Sequence, residues 1–195
     1  MNGMKLHAYS SYEEYRQAQE LANHRKIGNV WVRQQDVQFV ADYVKTLIKP
    51  KFGLCHGTRS GHEQEWFREC LGCEVLGTEI SSTAEDYPNT IQWDFHETKP
   101  EWIDAVDFIY SNSFDHAYDP KKALDAWMSC TRLCVIEHTA YHGTKHVSEV
   151  DPFGAELTVM PYLITLWGEG RYGVRQILKP TEDRSFIVVE RWNTP

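Results

Sequence analysis

The two strand-like runs that close the chain constrain its fold more than any other feature. Tyr172 to Leu178 and Ser185 to Trp192 are joined only by Lys179-Pro180-Thr181-Glu182-Asp183-Arg184. That connection is too short for a helical crossover, so the pair is expected to be antiparallel. The stretch before it has the opposite character. From Phe52 onward, short apolar runs alternate with helical segments, which implies a mostly parallel sheet covered on both faces.

The alternation can be followed residue by residue. Phe52 to His56 reads as a strand, and His62 to Leu71 as a helix with Trp66, Phe67, Cys70 and Leu71 on one face and Gly72 as its stop. Cys73 to Gly77, Thr90 to Trp93, Val106 to Ser111 and Leu133 to Glu137 read as further strands. Asp119-Pro120 opens a helix that buries Ala123, Leu124, Trp127 and Met128. Pro161 and Gly168 bracket a short helix before the closing pair. Ahead of the alternating region, Ser10 and Ser11 each stand three residues before a glutamate, the capping-box spacing, and open a helix reaching about Arg25. Val37, Val40, Tyr43, Val44, Leu47 and Ile48 repeat at helical spacing before Pro50.

At 195 residues the chain suits one domain, 1–195, with a helical extension over 1–50 and a ligand-binding core over 51–195. No run approaches the roughly 18 apolar residues of a membrane span, and residues 1–7 lack the apolar block of a secretory signal. Five cysteines without framework spacing suit a reducing compartment, so a cytoplasmic location is expected. Cys70 and Cys73 form a lone C-x-x-C at a helix-to-strand junction and read as packing residues. A net charge of −8 argues against broad binding to a phosphate backbone. Nothing in the pattern fixes an oligomeric state.

In an open parallel sheet the ligand sits beyond the carboxyl ends of the strands, where strand order reverses. Four features fall at such ends. Gly57-Thr58-Arg59-Ser60-Gly61 follows the first strand, where glycines allow close backbone approach and a helix start offers free amides. Glu79 comes about 20 positions after this turn, placed to accept both hydroxyls of a ribose. Asp94 could accept from an adenine amino group while Ile80 or Phe95 packs on the ring. Ser111-Asn112-Ser113-Phe114-Asp115-His116 ends the fourth strand and faces the expected reaction centre.

These residues resemble the class I (Rossmann-like) S-adenosylmethionine-dependent methyltransferases over roughly Phe52 to Trp192. The family's first motif usually reads Leu-Asp-x-Gly-x-Gly-x-Gly. Leu54-Cys55-His56-Gly57-Thr58-Arg59-Ser60-Gly61 keeps its first and last glycines, with Cys55 for the acid and Arg59 for the middle glycine. Val106 to Ala117 is similar to the fourth-strand motif, and the closing pair matches the family's terminal hairpin. The resemblance implies an α/β, three-layer sandwich around a mostly parallel seven-stranded sheet. It implies S-adenosylmethionine as cofactor, held by His56, Gly57, Thr58, Arg59, Gly61, Glu79, Ile80, Asp94, Phe95, Ser111 and Asn112. Arg59 either pairs with the carboxylate of the cofactor's amino-acid part or points to solvent while its backbone serves.

The acceptor is expected to be a small molecule rather than nucleic acid, selected by the N-terminal helices and the segment from Tyr141 to Tyr172, where Tyr141 and Trp167 could line a pocket. His116 and His138 are the candidates for contact with it, and His116 with Asp115 beside it is the candidate general base. His138, His142 and His146 recur every four residues, but Gly143 and Thr144 interrupt the segment, so a pocket-lining loop and no metal is expected there. Two other readings stay open. A non-catalytic module could retain the fold. A nicotinamide-dependent oxidoreductase would share the glycine turn and the ribose acid, but would not supply the terminal hairpin.

Overall fold

A computed structural model describes residues 3–192. The chain runs β1 (Met4–Leu6), α1 (Tyr12–Lys26), α2 (Gln34–Leu47), β2 (Phe52–His56), α3 (His62–Leu71), β3 (Glu74–Glu79), β4 (Thr90–Gln92) and β5 (Phe108–Ser111). It continues through α4 (Pro120–Cys130), β6 (Leu133–His138), β7 (Phe153–Ala155), α5 (Met160–Gly168), β8 (Tyr172–Leu178) and β9 (Ser185–Arg191). The main sheet has seven strands in the order β4-β3-β2-β5-β6-β9-β8. All pairs from β4 to β6 are parallel, while β9 is antiparallel to both β6 and β8. The short connection after β8 thus produces the expected hairpin, inserted with β9 next to β6. From β2 the chain winds outward to β4, then returns past β2 to β5, so strand order reverses between β2 and β5.

Alternation along the strands builds two cores. Leu54, Ile109, Cys134, Ile136, Ile187 and Val189 face α4 and α5, with Trp127, Leu124, Leu163 and Ile164. Cys55, Phe108, Tyr110, Leu133, Val135, Phe186 and Val188 face α2 and α3, with Val37, Val40, Val44 and Phe67. Neighbouring strand residues alternate between the clusters, as a sheet buried on both faces requires. The result is the expected three-layer sandwich.

Capping sets the helix ends as the residue types dictate. Ser11 Oγ accepts from Glu14 N at 3.2 Å, and Glu14 Oε2 returns to Ser10 N at 2.6 Å, displaced by one residue from a strict capping box. Asp119 Oδ1 caps α4 through Lys122 N at 3.0 Å. The strand after Cys73 runs further than its apolar pattern predicts, to Glu79, because Thr78 and Glu79 pair with β4. Two short strands, β1 and β7, have no counterpart in the pattern of the sequence. β1 pairs antiparallel with β7, Met4 opposite Ala155, which ties the N-terminus to the segment around Asp151. No helix among the described residues is long and apolar enough to cross a membrane.

Candidate active site

The carboxyl ends of β2, β3 and β5 carry the turn and the acids singled out above. Gly57 adopts φ +73°, and a Cβ there would stand 2.6 Å from Ser113 Cβ, so only glycine lets the β2 and β5 ends approach this closely. Gly57 N and Thr58 N both donate to Thr78 O, at 2.8 and 3.1 Å, which pins the turn to β3. Arg59 takes a left-handed φ of +44°, an uncommon conformation for a side chain of this size. Its backbone N donates to Glu79 Oε2 at 3.1 Å, and Ser81 N donates to Glu79 Oε1 at 3.0 Å. Glu79 is buried; desolvation pushes its pKa above the ordinary value against the opposing pull of these amides.

Asp94 lies across from Glu79, with both oxygens in use. Oδ1 accepts from His96 N at 2.9 Å and from His96 Nδ1 at 2.7 Å, and Oδ2 accepts from Tyr12 Oη at 2.9 Å. Burial raises the Asp94 pKa, but the hydrogen bonds from His96 and Tyr12 outweigh it and hold the carboxyl below its ordinary value. Tyr12 belongs to α1, which lies over this end of the sheet. Tyr15 packs edge-on to His96 with centroids 5.7 Å apart, and Tyr118 packs on both Tyr15 and His96, at 4.6 and 4.1 Å. Between α1, Glu79, Ile80, Asp94 and Phe95 a cavity of only about 40 Å³ remains.

A second cavity, about 580 Å³, opens over the ends of β2, β5 and β6. That volume suits a small organic ligand. Gly57, Arg59, Ser113, His116 and Lys26 border both cavities, so the two are contiguous across the glycine turn. Arg59 Nη1 donates to Asn29 O at 3.1 Å, while its Nε is buried with no partner. Desolvation pulls the Arg59 pKa below the ordinary value. Deeper in, Tyr110 Oη donates to Glu137 Oε2 at 2.6 Å, and Arg184 pairs with the other oxygen of the fully buried Glu137. Glu63, in the first turn of α3, is buried and has its pKa pushed up to about 8 by desolvation.

The expected residues divide into three groups. Glu79, Ile80, Asp94 and Phe95 border the small cavity, Thr58 and Asn112 the large one, and Gly57, Arg59 and His116 both. Four others face elsewhere. His56 lies flat on Trp127, centroids 5.0 Å apart, with Nδ1 on Thr78 Oγ1 at 2.8 Å; burial pulls its pKa down to about 3. Ser111 Oγ donates to His56 O at 2.9 Å, and Gly61 caps α3 at φ +79°. His138 Nε2 donates to Ala155 O at 2.9 Å, and burial draws its pKa down to about 4. His142 and His146 sit on single 3-10 turns and border the large cavity with Tyr141, whereas Trp167 packs on Phe153.

Sequence reasoning missed Glu63, Glu137, Asp151, Gln19 and Tyr12. Glu63 reads as an ordinary acid of a first helical turn, and Asp151 as a turn residue before Pro152. Only the β1–β7 pairing and the course of α1 bring Asp151, Gln19 and Tyr12 to the site.

No family model matches the chain, and no curated protein matches it in sequence. Solved structures do resemble it. The 1,6-didemethyltoxoflavin-N1-methyltransferase of Burkholderia thailandensis, solved with 1,6-didemethyltoxoflavin and S-adenosylhomocysteine, superposes with a TM-score of 0.70 at 11% identity, over 95% of this chain and 92% of that one. A glycopeptide N-methyltransferase solved with sinefungin gives 0.62 at 11% identity, over 82% and 87%. A small-RNA methyltransferase gives 0.58 at 11% identity, over 82% of this chain and 25% of its own length. The chain therefore has the class I methyltransferase fold.

Proposed function

We propose that this protein transfers a methyl group from S-adenosylmethionine to a small-molecule acceptor. One observation carries the reading. Gly57, Glu79, Asp94 and Asn112 follow one another at the ends of successive strands around two contiguous cavities, at the point where strand order reverses. The residues present suit the cofactor. Arg59 Nε is a buried donor without a partner, which a carboxylate would satisfy. Glu79 retains acceptor capacity for ribose hydroxyls beyond the two amides it holds. Ile80 and Phe95 flank the place of a ring.

When bound, the cofactor supplies an activated methyl on a good leaving group. The protein then has to orient the acceptor and exclude water. The 580 Å³ cavity does both, with Trp31 and Tyr141 at its mouth and Arg184, Glu137, Asp115 and His116 inside. Its size favours a small acceptor, and the toxoflavin enzyme's acceptor is of that kind. His116 is the candidate group facing the acceptor, because His138 is spent on Ala155.

Calorimetry with S-adenosylhomocysteine and NAD tests the cofactor. Saturable binding of the first alone is expected, and preference for NAD would sink the reading. Binding without turnover on any acceptor would instead identify a non-catalytic module.

A further inference from the structure

We infer that Asp115, His116 and Asp151 form a binding site for a divalent transition-metal ion on the wall of the large cavity. One imidazole nitrogen and one oxygen from each carboxylate lie within 4.8 Å of one another. His116 Nε2 stands 3.6 Å from Asp151 Oδ1 and 4.0 Å from Asp115 Oδ1. Both distances exceed a hydrogen bond, so these groups do not satisfy each other directly. With metal–ligand bonds of about 2.0–2.2 Å, two ligand atoms on one ion stand about 3.0–4.3 Å apart. The two distances from His116 already fall in that range, and the widest pair reaches it after a shift of up to about half an ångström.

The surrounding hydrogen bonds orient each group as a ligand. Gln19 Nε2 donates to Val150 O at 3.2 Å, which turns Gln19 Oε1 toward His116 Nδ1, 2.8 Å away. The carbonyl oxygen can only accept, so Nδ1 carries a proton and Nε2 presents its lone pair to the two carboxylates. Three electron-rich atoms facing one point call for a cation. Asp151 Oδ2 is held by Ser148 Oγ at 3.2 Å, leaving Oδ1 toward His116. His142 Nδ1 accepts from Thr139 N at 3.3 Å, so its Nε2 carries hydrogen and backs Asp115 Oδ2 from 3.9 Å. Asp115 Oδ1 is the independent observation: it is a buried carboxylate oxygen with no partner at all. Lys26 and Arg59 border the same cavity, but among the described residues neither pairs with Asp115 or Asp151.

Two oxygens and one imidazole suit Mn²⁺, Fe²⁺ or Zn²⁺ rather than Ca²⁺. The ion makes His116 a ligand in place of a general base. Its use, holding an oxygen of the acceptor beside Ser113, rests on the proposed methyl transfer, whereas its binding does not.

The test is Mn²⁺ titration of chelator-stripped full-length protein, followed by calorimetry and electron paramagnetic resonance. One equivalent is expected to bind and to raise Tm. Asp115→Asn and Asp151→Asn should each weaken binding by at least about 100-fold, and Gln19→Leu, which removes an outer-shell partner, by about 10-fold. Asp115→Asn removes a buried charge, so its metal-free Tm should not fall; Asp151→Asn, at a half-exposed position, supplies the second reading. No binding by the stripped wild type, or wild-type affinity in both aspartate variants, overturns the site. A parallel S-adenosylhomocysteine titration separates the outcomes: Mn²⁺ binding without it upholds the site and sinks the proposed function, and the reverse result sinks only the site.

Discussion

The two cavities beside the glycine turn differ in how their polar groups are satisfied. In the small one every oxygen of Glu79 and Asp94 has a hydrogen-bond partner, and α1 closes the space with Tyr12 and Tyr15. In the large one Asp115 Oδ1 is buried with none among the described residues, as is Arg59 Nε on the border between the two. The first has its acids satisfied and would have to open to admit the proposed nucleoside; the second holds a group that a ligand would complete. Burial of unpaired polar atoms is unfavourable by about 1–3 kcal/mol each, so the large cavity carries the strain and the small one the order.

Removing the acid that organises the small cavity should have the largest effect. Glu79→Ala leaves Arg59 N and Ser81 N without their carboxylate and removes the proposed ribose acceptor. S-adenosylhomocysteine affinity is expected to fall about 100-fold, about 2.7 kcal/mol, by calorimetry. Retained affinity would show that the small cavity is not the nucleoside site. The next effect is on stability. Glu63 has its pKa raised to about 8 in the folded chain, so the native state holds a proton that the unfolded chain has released. Stability is therefore lost as pH rises toward 8. Asp115, raised to about 6 by burial, adds to this loss up to about pH 7. His56, His138 and His142, depressed in the folded chain and protonated around pH 6.5 only in the unfolded one, oppose it, so the Glu63 contribution is read as a difference between wild type and Glu63→Gln. Between pH 6.5 and 8, the stability of wild type relative to Glu63→Gln, by urea unfolding, should fall by up to about 1.4 kcal/mol per pH unit, and a difference independent of pH would mean that Glu63 is not protonated in the folded chain.

Smaller effects probe the boundary between the cavities. Arg59→Lys keeps the charge but loses the planar fork, and should weaken S-adenosylhomocysteine binding about 10-fold, while leaving the unfolding free energy within about 1 kcal/mol of wild type. Tyr12→Phe unlatches α1 from Asp94. Stability should fall by about 1 kcal/mol and the stopped-flow association rate should rise several-fold. An unchanged rate would mean that α1 does not gate the small cavity.

Much of this was legible in residue patterns, for identifiable reasons. Strand and helix positions follow from periodicity, so β2, α3 and α4 fall within a residue of their expected ends, and Gly72 and Asp119 mark helix ends by local chemistry. Gly57, Glu79 and Asp94 were singled out because a parallel sheet places its ligand at strand ends, and all three border the small cavity. His56 and His138 were misjudged by the same logic. Both sit at strand ends, but their rings turn inward, toward Trp127 and Ala155. Alternation along a strand decides which face a side chain takes, but not which neighbour awaits it.

The sequence by itself determined the sheet, its antiparallel ending and the residues at the ends of its strands, because those depend on local periodicity and connection length. Only the tertiary structure decided what those ends enclose. The pairing of Met4–Leu6 with Phe153–Ala155 brings Asp151 to His116 and draws α1 across Asp94. Contacts between residues 35 or 82 positions apart leave no local signal. They arise from how completed elements pack, and at this site that packing narrowed one cavity and left Asp115 Oδ1 without a partner among the described residues in the other.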